Sequence, residues 1–69
     1  MTSTLTDREH DVMRLVVDGL SNKLLAVELG ISDHTAKFHV LNAIKKLGAS
    51  NRTEAAVIYD RRTRARGAA

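Results

Sequence analysis

Apolar residues recur along this chain at helical intervals, three and four residues apart, the spacing of helices that bury one side. β-Branched residues do not alternate with polar ones and proline is absent, so the reading is all-α. Polar punctuation cuts the pattern into four segments. Thr6-Asp7-Arg8-Glu9 has the form of a capping box, with Thr6 accepting from the third helical amide and Glu9 reaching back to the Thr6 amide. It predicts a helix over 7–18, apolar at Val12, Met13, Leu15 and Val16 and stopped by Gly19. Ser21 caps a second helix over 22–29 that ends at Gly30. Ile31 and the cap Ser32 lead directly into a third over 33–47, closed at Gly48. Asn51-Arg52-Thr53-Glu54 offers a last cap, for a helix over 52–65, and the end from Arg64 to Ala69 is expected to fray. The architecture this predicts is a four-helix bundle.

The second and third segments meet through only a few residues centred on Gly30. A tight connection between two short amphipathic helices is the signature of a helix-turn-helix, although ordinary helical hairpins also carry Gly at the turn. Ala26 supplies the small side chain that a close crossing needs, and Gly30 the freedom for positive φ. Wound at about 100° per residue, the third helix gathers Ala36, Val40, Ala43, Ile44 and Leu47 into one core stripe. The opposite side carries His34, Phe38, Leu41, Asn42 and Lys45, flanked by Lys37 on one edge and by Thr35, His39 and Lys46 on the other. Phe38 is the only Phe in the chain, yet the pattern points it away from the core. A small domain short of apolar surface exposes such a ring for a reason: a thymine methyl in a DNA major groove, extended by Leu41, or another protein's surface.

Charge bears on that choice. Residues 1–33 hold three basic groups against six acidic ones, whereas 34–53 hold Lys37, Lys45, Lys46 and Arg52 with no acid. The segment that bears the exposed Phe therefore concentrates positive charge, as a phosphate-binding surface requires. On this reading Lys37 reaches a guanine edge or a phosphate, Asn42 pairs with adenine, and His34 completes the base-contacting set. Thr35, His39, Lys45, Lys46 and Arg52 serve the backbone on either side, and Asn22, Lys23 and Ser32 present the helix starts to phosphates. On the fourth helix Ala55, Ala56, Ile58 and Tyr59 share the core side, while Val57 lies with Thr53, Arg61 and Arg64 on another face that suits a small dimer seam.

The chain has 69 residues, room for one domain over 1–69 with an ordered core about 5–65. No cysteine is present, which removes disulfides and Cys-based zinc sites and fits a cytoplasmic protein. No apolar run approaches ~20 residues, and the first residues lack the form of a signal peptide. An enzyme is not expected: there is no nucleophile–base set and no Gly-rich phosphate loop. His34 and His39 diverge by about 140° on their helix, so no metal site is expected there either, and no cofactor.

Several blocks, in order, resemble the LuxR-type (GerE-like) helix-turn-helix: Leu5-Thr6-x-Arg8-Glu9, Gly19-Leu20-Ser21-Asn22-Lys23, Leu29-Gly30-Ile31-Ser32-x-His34-Thr35-x-Lys37-x-His39-Val40, Lys46-Leu47-Gly48 and Asn51-Arg52-x-Glu54-Ala55. The resemblance implies a transcription-factor domain with the third helix in the major groove, base contacts at Lys37, Phe38 and Leu41, and a homodimer through the fourth helix. It implies a place behind a receiver or sensing domain, as in bacterial response regulators of two-component systems, so Met1 is read as a boundary within a longer regulator. The chain departs from the pattern at Leu41, usually polar or basic, at Leu24, usually Glu, and at Ala36, usually Val. Two rivals share features with it. The promoter-reading domain of a sigma factor would partner with RNA polymerase, and a protein-interaction module would use Phe38 and Leu41 on a protein groove.

Overall fold

A computed structural model of the protein describes residues 4–67. Those residues form α1 (Asp7–Val17), α2 (Asn22–Leu29), α3 (Asp33–Lys46) and α4 (Arg52–Gly67), with no strand among them. The capping box at α1 is complete: the Glu9 amide donates to Thr6 Oγ1 at 3.1 Å and the Thr6 amide to Glu9 Oε1 at 2.9 Å. Ser21 and Ser32 cap α2 and α3 through bonds to the Leu24 and Thr35 amides.

Between α2 and α3 the chain reverses through Gly30, which sits at φ +67°. There the Gly30 amide donates to the Val27 carbonyl and the Ile31 amide to the Ala26 carbonyl, closing two carbonyls that the helix end leaves open. Asp18 and Leu47, placed inside helices by the sequence pattern, are the C-caps of α1 and α3. At the other end α4 runs to Gly67, two residues past the expected 65 and through the stretch from Arg64 expected to fray. An Arg64–Asp60 ion pair at 2.8 Å and a Thr63 hydroxyl bonded to the Tyr59 carbonyl support its last turns. The part of that expectation on Ala68 and Ala69 lies outside the described residues.

The core joins Val12, Met13 and Val16 of α1 to Leu25 and Ala26 of α2, to Ala36, Val40, Ala43 and Leu47 of α3 and its cap, and to Ala55 and Tyr59 of α4. Met13, Leu25 and Val12 are fully buried, each contributing about 1.5–3 kcal/mol of transfer free energy. The alanines among them let backbones approach closely. α1 packs against all three other helices, whereas α2 and α4 do not pack against each other.

Polar ties set the remaining angles. Tyr59 Oη lies 2.9 Å from His10 Nδ1, joining α4 to α1. Burial pushes the Tyr59 phenol up; the Arg14 charge opposes this and Asp11 adds to it, so the ring stays neutral and keeps its proton to share. Glu9 is buried, and its Oε1 also accepts from Lys46 Nζ at 2.8 Å, bolting the start of α1 to the last turn of α3. Burial alone would raise the Glu9 carboxyl. The Lys46 bond, the Thr6 amide and the Lys46 charge outweigh it and hold the group below its usual value.

Candidate nucleic-acid interface

Helix α3 turns one side to the core and the other to solvent. Ala36, Val40 and Ala43 are buried, with Leu47 just beyond the helix, and Ile44 is half-buried beside them. Phe38 is 61% exposed and Leu41 50%. His34, Thr35, Lys37 and Lys45 are exposed around them, while His39 and Asn42 are half-buried. The Phe38 ring stands in an edge arrangement with the neighbouring His39 ring, at a centroid distance of 5.7 Å. The apolar tip of this side is thus free and ringed by donors.

The cations divide into two groups. Lys23, Lys37 and Lys45 have no carboxylate within ion-pair distance among the described residues. Lys46 and Arg52, both expected at phosphates, are engaged inside the molecule. Lys46 is held by buried Glu9. Arg52, the first residue of α4, donates from Nη2 to the Leu20 carbonyl at 2.6 Å and from Nη1 to Asn22 Oδ1. Both therefore have donors engaged inside the fold, and each keeps further N–H groups for an outside acceptor.

Ser32 is also more committed than the pattern suggested. Its Oγ accepts from the Thr35 amide at 3.0 Å and donates to Thr35 Oγ1 at 2.9 Å, so its own proton is spent. The Thr35 hydroxyl then carries the free O–H at this corner. Asn22 is half-buried, its oxygen filled by Arg52. Asn22, Lys37, Leu41, Ser50, Asn51 and Arg52 border an open cleft between α3 and the starts of α2 and α4.

On α4, Val57 is 45% exposed, and Thr53, Arg61 and Arg64 are exposed with it; Arg64 is tied to Asp60. On α2, Leu24 and Val27 are 58% and 73% exposed. The family resemblance singled out Leu24 as a departure; Val27 was not singled out. Among the described residues no group of His, Cys, Asp and Glu is placed to hold a metal ion. No helix among them is long and apolar enough to cross a membrane.

One signal for the Arg52 tie was present in the sequence. A cation at the first position of a helix opposes the helix dipole, so a specific partner is needed to hold it there. The Glu9–Lys46 pair, 37 positions apart, left no such local trace.

The chain matches the family described as bacterial regulatory proteins, luxR family (GerE), over residues 3–59. It is 45% identical over 56 residues to a nitrate/nitrite response regulator protein homolog of Haemophilus influenzae, a match covering 81% of this chain and 27% of that protein. It is 45% identical over 53 residues to the nitrate/nitrite response regulator protein NarL of Escherichia coli, covering 77% of this chain and 24% of NarL. A third relative, the HTH-type transcriptional regulator MalT of Vibrio campbellii, is 45% identical over 56 residues, or 81% of this chain and 6% of MalT. The chain thus spans about a quarter of the length of the first two relatives and far less of the third.

Proposed function

This chain belongs to the luxR family of bacterial regulatory proteins, and on that premise we propose that it binds double-stranded DNA sequence-specifically as the output part of a transcriptional regulator, with α3 in the major groove. The observation that carries this reading is the outward side of α3, where the chain's lone Phe stands 61% exposed beside cations that no carboxylate among the described residues neutralises. A helix of 14 residues is about 21 Å long and fits a groove about 12 Å wide.

Phe38 and Leu41 meet thymine methyls. Lys37, Asn42 and His34 read base edges. Lys23, Lys45, Thr35, His39 and the Asn22 carboxamide hold the backbone, with the α3 start at Ser32 directed to the same strand. Val57, with Thr53, Arg61 and Arg64, forms a homodimer seam, which places half-sites about one helical turn apart. The regulator works in the bacterial cytoplasm under an upstream receiver or sensing domain, with RNA polymerase as its eventual partner; the response regulators among its relatives support that arrangement.

Selection of bound sites from random duplexes, followed by titration at several salt concentrations, tests the reading. With roughly six phosphates contacted, affinity falls by about three orders of magnitude between ~50 and ~200 mM salt. Binding that ignores salt would leave a protein groove as the partner of Phe38.

A further inference from the structure

Asn22 opens α2, and its side chain is oriented by a group from the other end of the fold. A guanidinium has donors and no acceptor. Because Arg52 Nη1 donates to Asn22, the atom facing Arg52 is the carboxamide oxygen, and Nδ2 is turned the other way. Among the described residues Nδ2 has no hydrogen-bond partner, so its two protons remain to be given. The second arm of the same guanidinium grips the Leu20 carbonyl at 2.6 Å, one residue ahead of the Ser21 cap. This fork joins two helices that otherwise do not pack together. The first turn of α2 has few other anchors: Ser21, Lys23 and Leu24 are exposed, and the first buried side chain of the helix is Leu25.

We infer that Arg52 is a positioning residue for the DNA-binding surface: it touches no phosphate itself, but fixes the start of α2 and turns the Asn22 carboxamide so that its N–H₂ is presented to one. The inference rests on the DNA-binding reading above. It replaces the expectation of a direct phosphate contact with an indirect one, and it makes Asn22 and Arg52 a single unit rather than two independent contacts. It also links the seat of α4, where the dimer seam lies, to the helix that abuts α3.

The test compares the full chain with Arg52→Lys, Arg52→Gln, Asn22→Ala and the Arg52→Gln/Asn22→Ala double variant, by fluorescence anisotropy on one selected duplex across a salt series. Lysine keeps the charge but cannot fill two acceptors with a planar fork. Arg52→Lys and Asn22→Ala are each expected to weaken binding roughly tenfold with the slope of log affinity against log salt unchanged. The double variant is expected to be little worse than either single change, because both break one unit. Should Arg52→Gln fail to fold, Arg52→Lys and Asn22→Ala still decide the matter. A direct phosphate contact predicts the opposite pattern: Arg52→Lys binding like the parent, Arg52→Gln losing about one from the salt slope, and independent losses that add in the double variant. Any of these overturns the inference, as does unchanged affinity in Asn22→Ala. A parent chain with no salt-dependent affinity for DNA would sink the DNA-binding reading itself, an outcome distinct from parent-like variants of a chain that binds.

Discussion

Replacing Lys46 by Met removes the ammonium while keeping most of the stem, and leaves the Glu9 carboxylate in place with a side chain only 5% exposed. In the parent, Glu9 Oε1 is satisfied by Lys46 Nζ at 2.8 Å and the Thr6 amide at 2.9 Å. Removing one partner of a fully buried pair costs about 3–5 kcal/mol. Here the Thr6 bond survives, and Lys46 itself is 27% exposed, so a loss of about 2–3 kcal/mol is expected. For a domain of this size that lowers the melting midpoint by roughly 10–20 °C. The reciprocal change, Glu9→Gln, is expected to cost less, about 1–2 kcal/mol, because it leaves the strandable charge on the better-hydrated partner and keeps an acceptor for Thr6.

Acid separates this account from simple loss of packing. Glu9 has a folded-state pKa below its ordinary value, so its contribution to stability is complete above the ordinary carboxylate range and is lost as pH falls through the folded value. In Lys46→Met, burial acts on Glu9 without its strongest counterweight, and the group becomes easier to protonate. The melting gap between parent and variant is therefore widest near neutrality, starts to narrow as pH falls and Glu9 of the variant protonates, and goes on narrowing until pH has passed the parent's lowered folded value. Thermal melts followed by circular dichroism at several pH values measure it. A gap that stays constant across that range, or a Lys46→Met chain melting within a few degrees of the parent at neutral pH, would refute the reasoning.

Phe38→Ala should cut discrimination between a selected duplex and random DNA at least tenfold while shifting the melting midpoint little, since the ring is 61% exposed; equal losses on both duplexes with a large melting shift would show a packing role instead. Gly30→Ala should cost about 1–2 kcal/mol from the φ of +67° alone, because a Cβ there meets nothing within 4 Å; denaturant melts check this, and a neutral result would place the strain elsewhere. Val57→Asp should leave the fold intact and abolish two-to-one complexes on a two-half-site duplex, as read by sedimentation; unchanged stoichiometry would remove the α4 seam.

The helices were legible because their signals are local. Caps at Thr6, Ser21 and Ser32 and the turn at Gly30 each act within five residues, so their chemistry is written in nearby letters. The core stripe of α3 was equally plain, because Ala36, Val40, Ala43 and Leu47 repeat at the helical period. The differences, of one or two residues, fell at helix ends. Asp18 and Leu47 still bond backward to Arg14 and Ala43, so only the following left-handed glycine separates a cap from another helical residue. At α4 the Arg64–Asp60 pair and the Thr63 bond sustain turns that composition alone marks as a tail.

The partition of the cations was not legible, and its cause is geometric rather than chemical. Lys37, Lys45, Lys46 and Arg52 belong to one acid-free stretch and look alike as a charge run. What separates them is which acceptors lie across the fold, and those acceptors belong to residues far back in the chain: Glu9, Leu20 and Asn22. Packing α1 against α3 brings Glu9 to Lys46, and the start of α4 brings Arg52 to Leu20 and Asn22 at the entry to α2. The same packing engages these two charges inside the fold, whereas Lys37 and Lys45 meet no carboxylate among the described residues. Of the four cations in that stretch, the unpaired ones are thereby narrowed to Lys37 and Lys45. If that narrowing governs binding, charge removal at Lys45, a phosphate contact, must lower the salt slope by about one, charge removal at Lys37 must relax base preference, and charge removal at Lys46 must lower stability while leaving the slope alone. A slope that drops equally for all three would mean that the charge run acts as a diffuse field, and that the ties inside the fold do not decide which cations reach DNA.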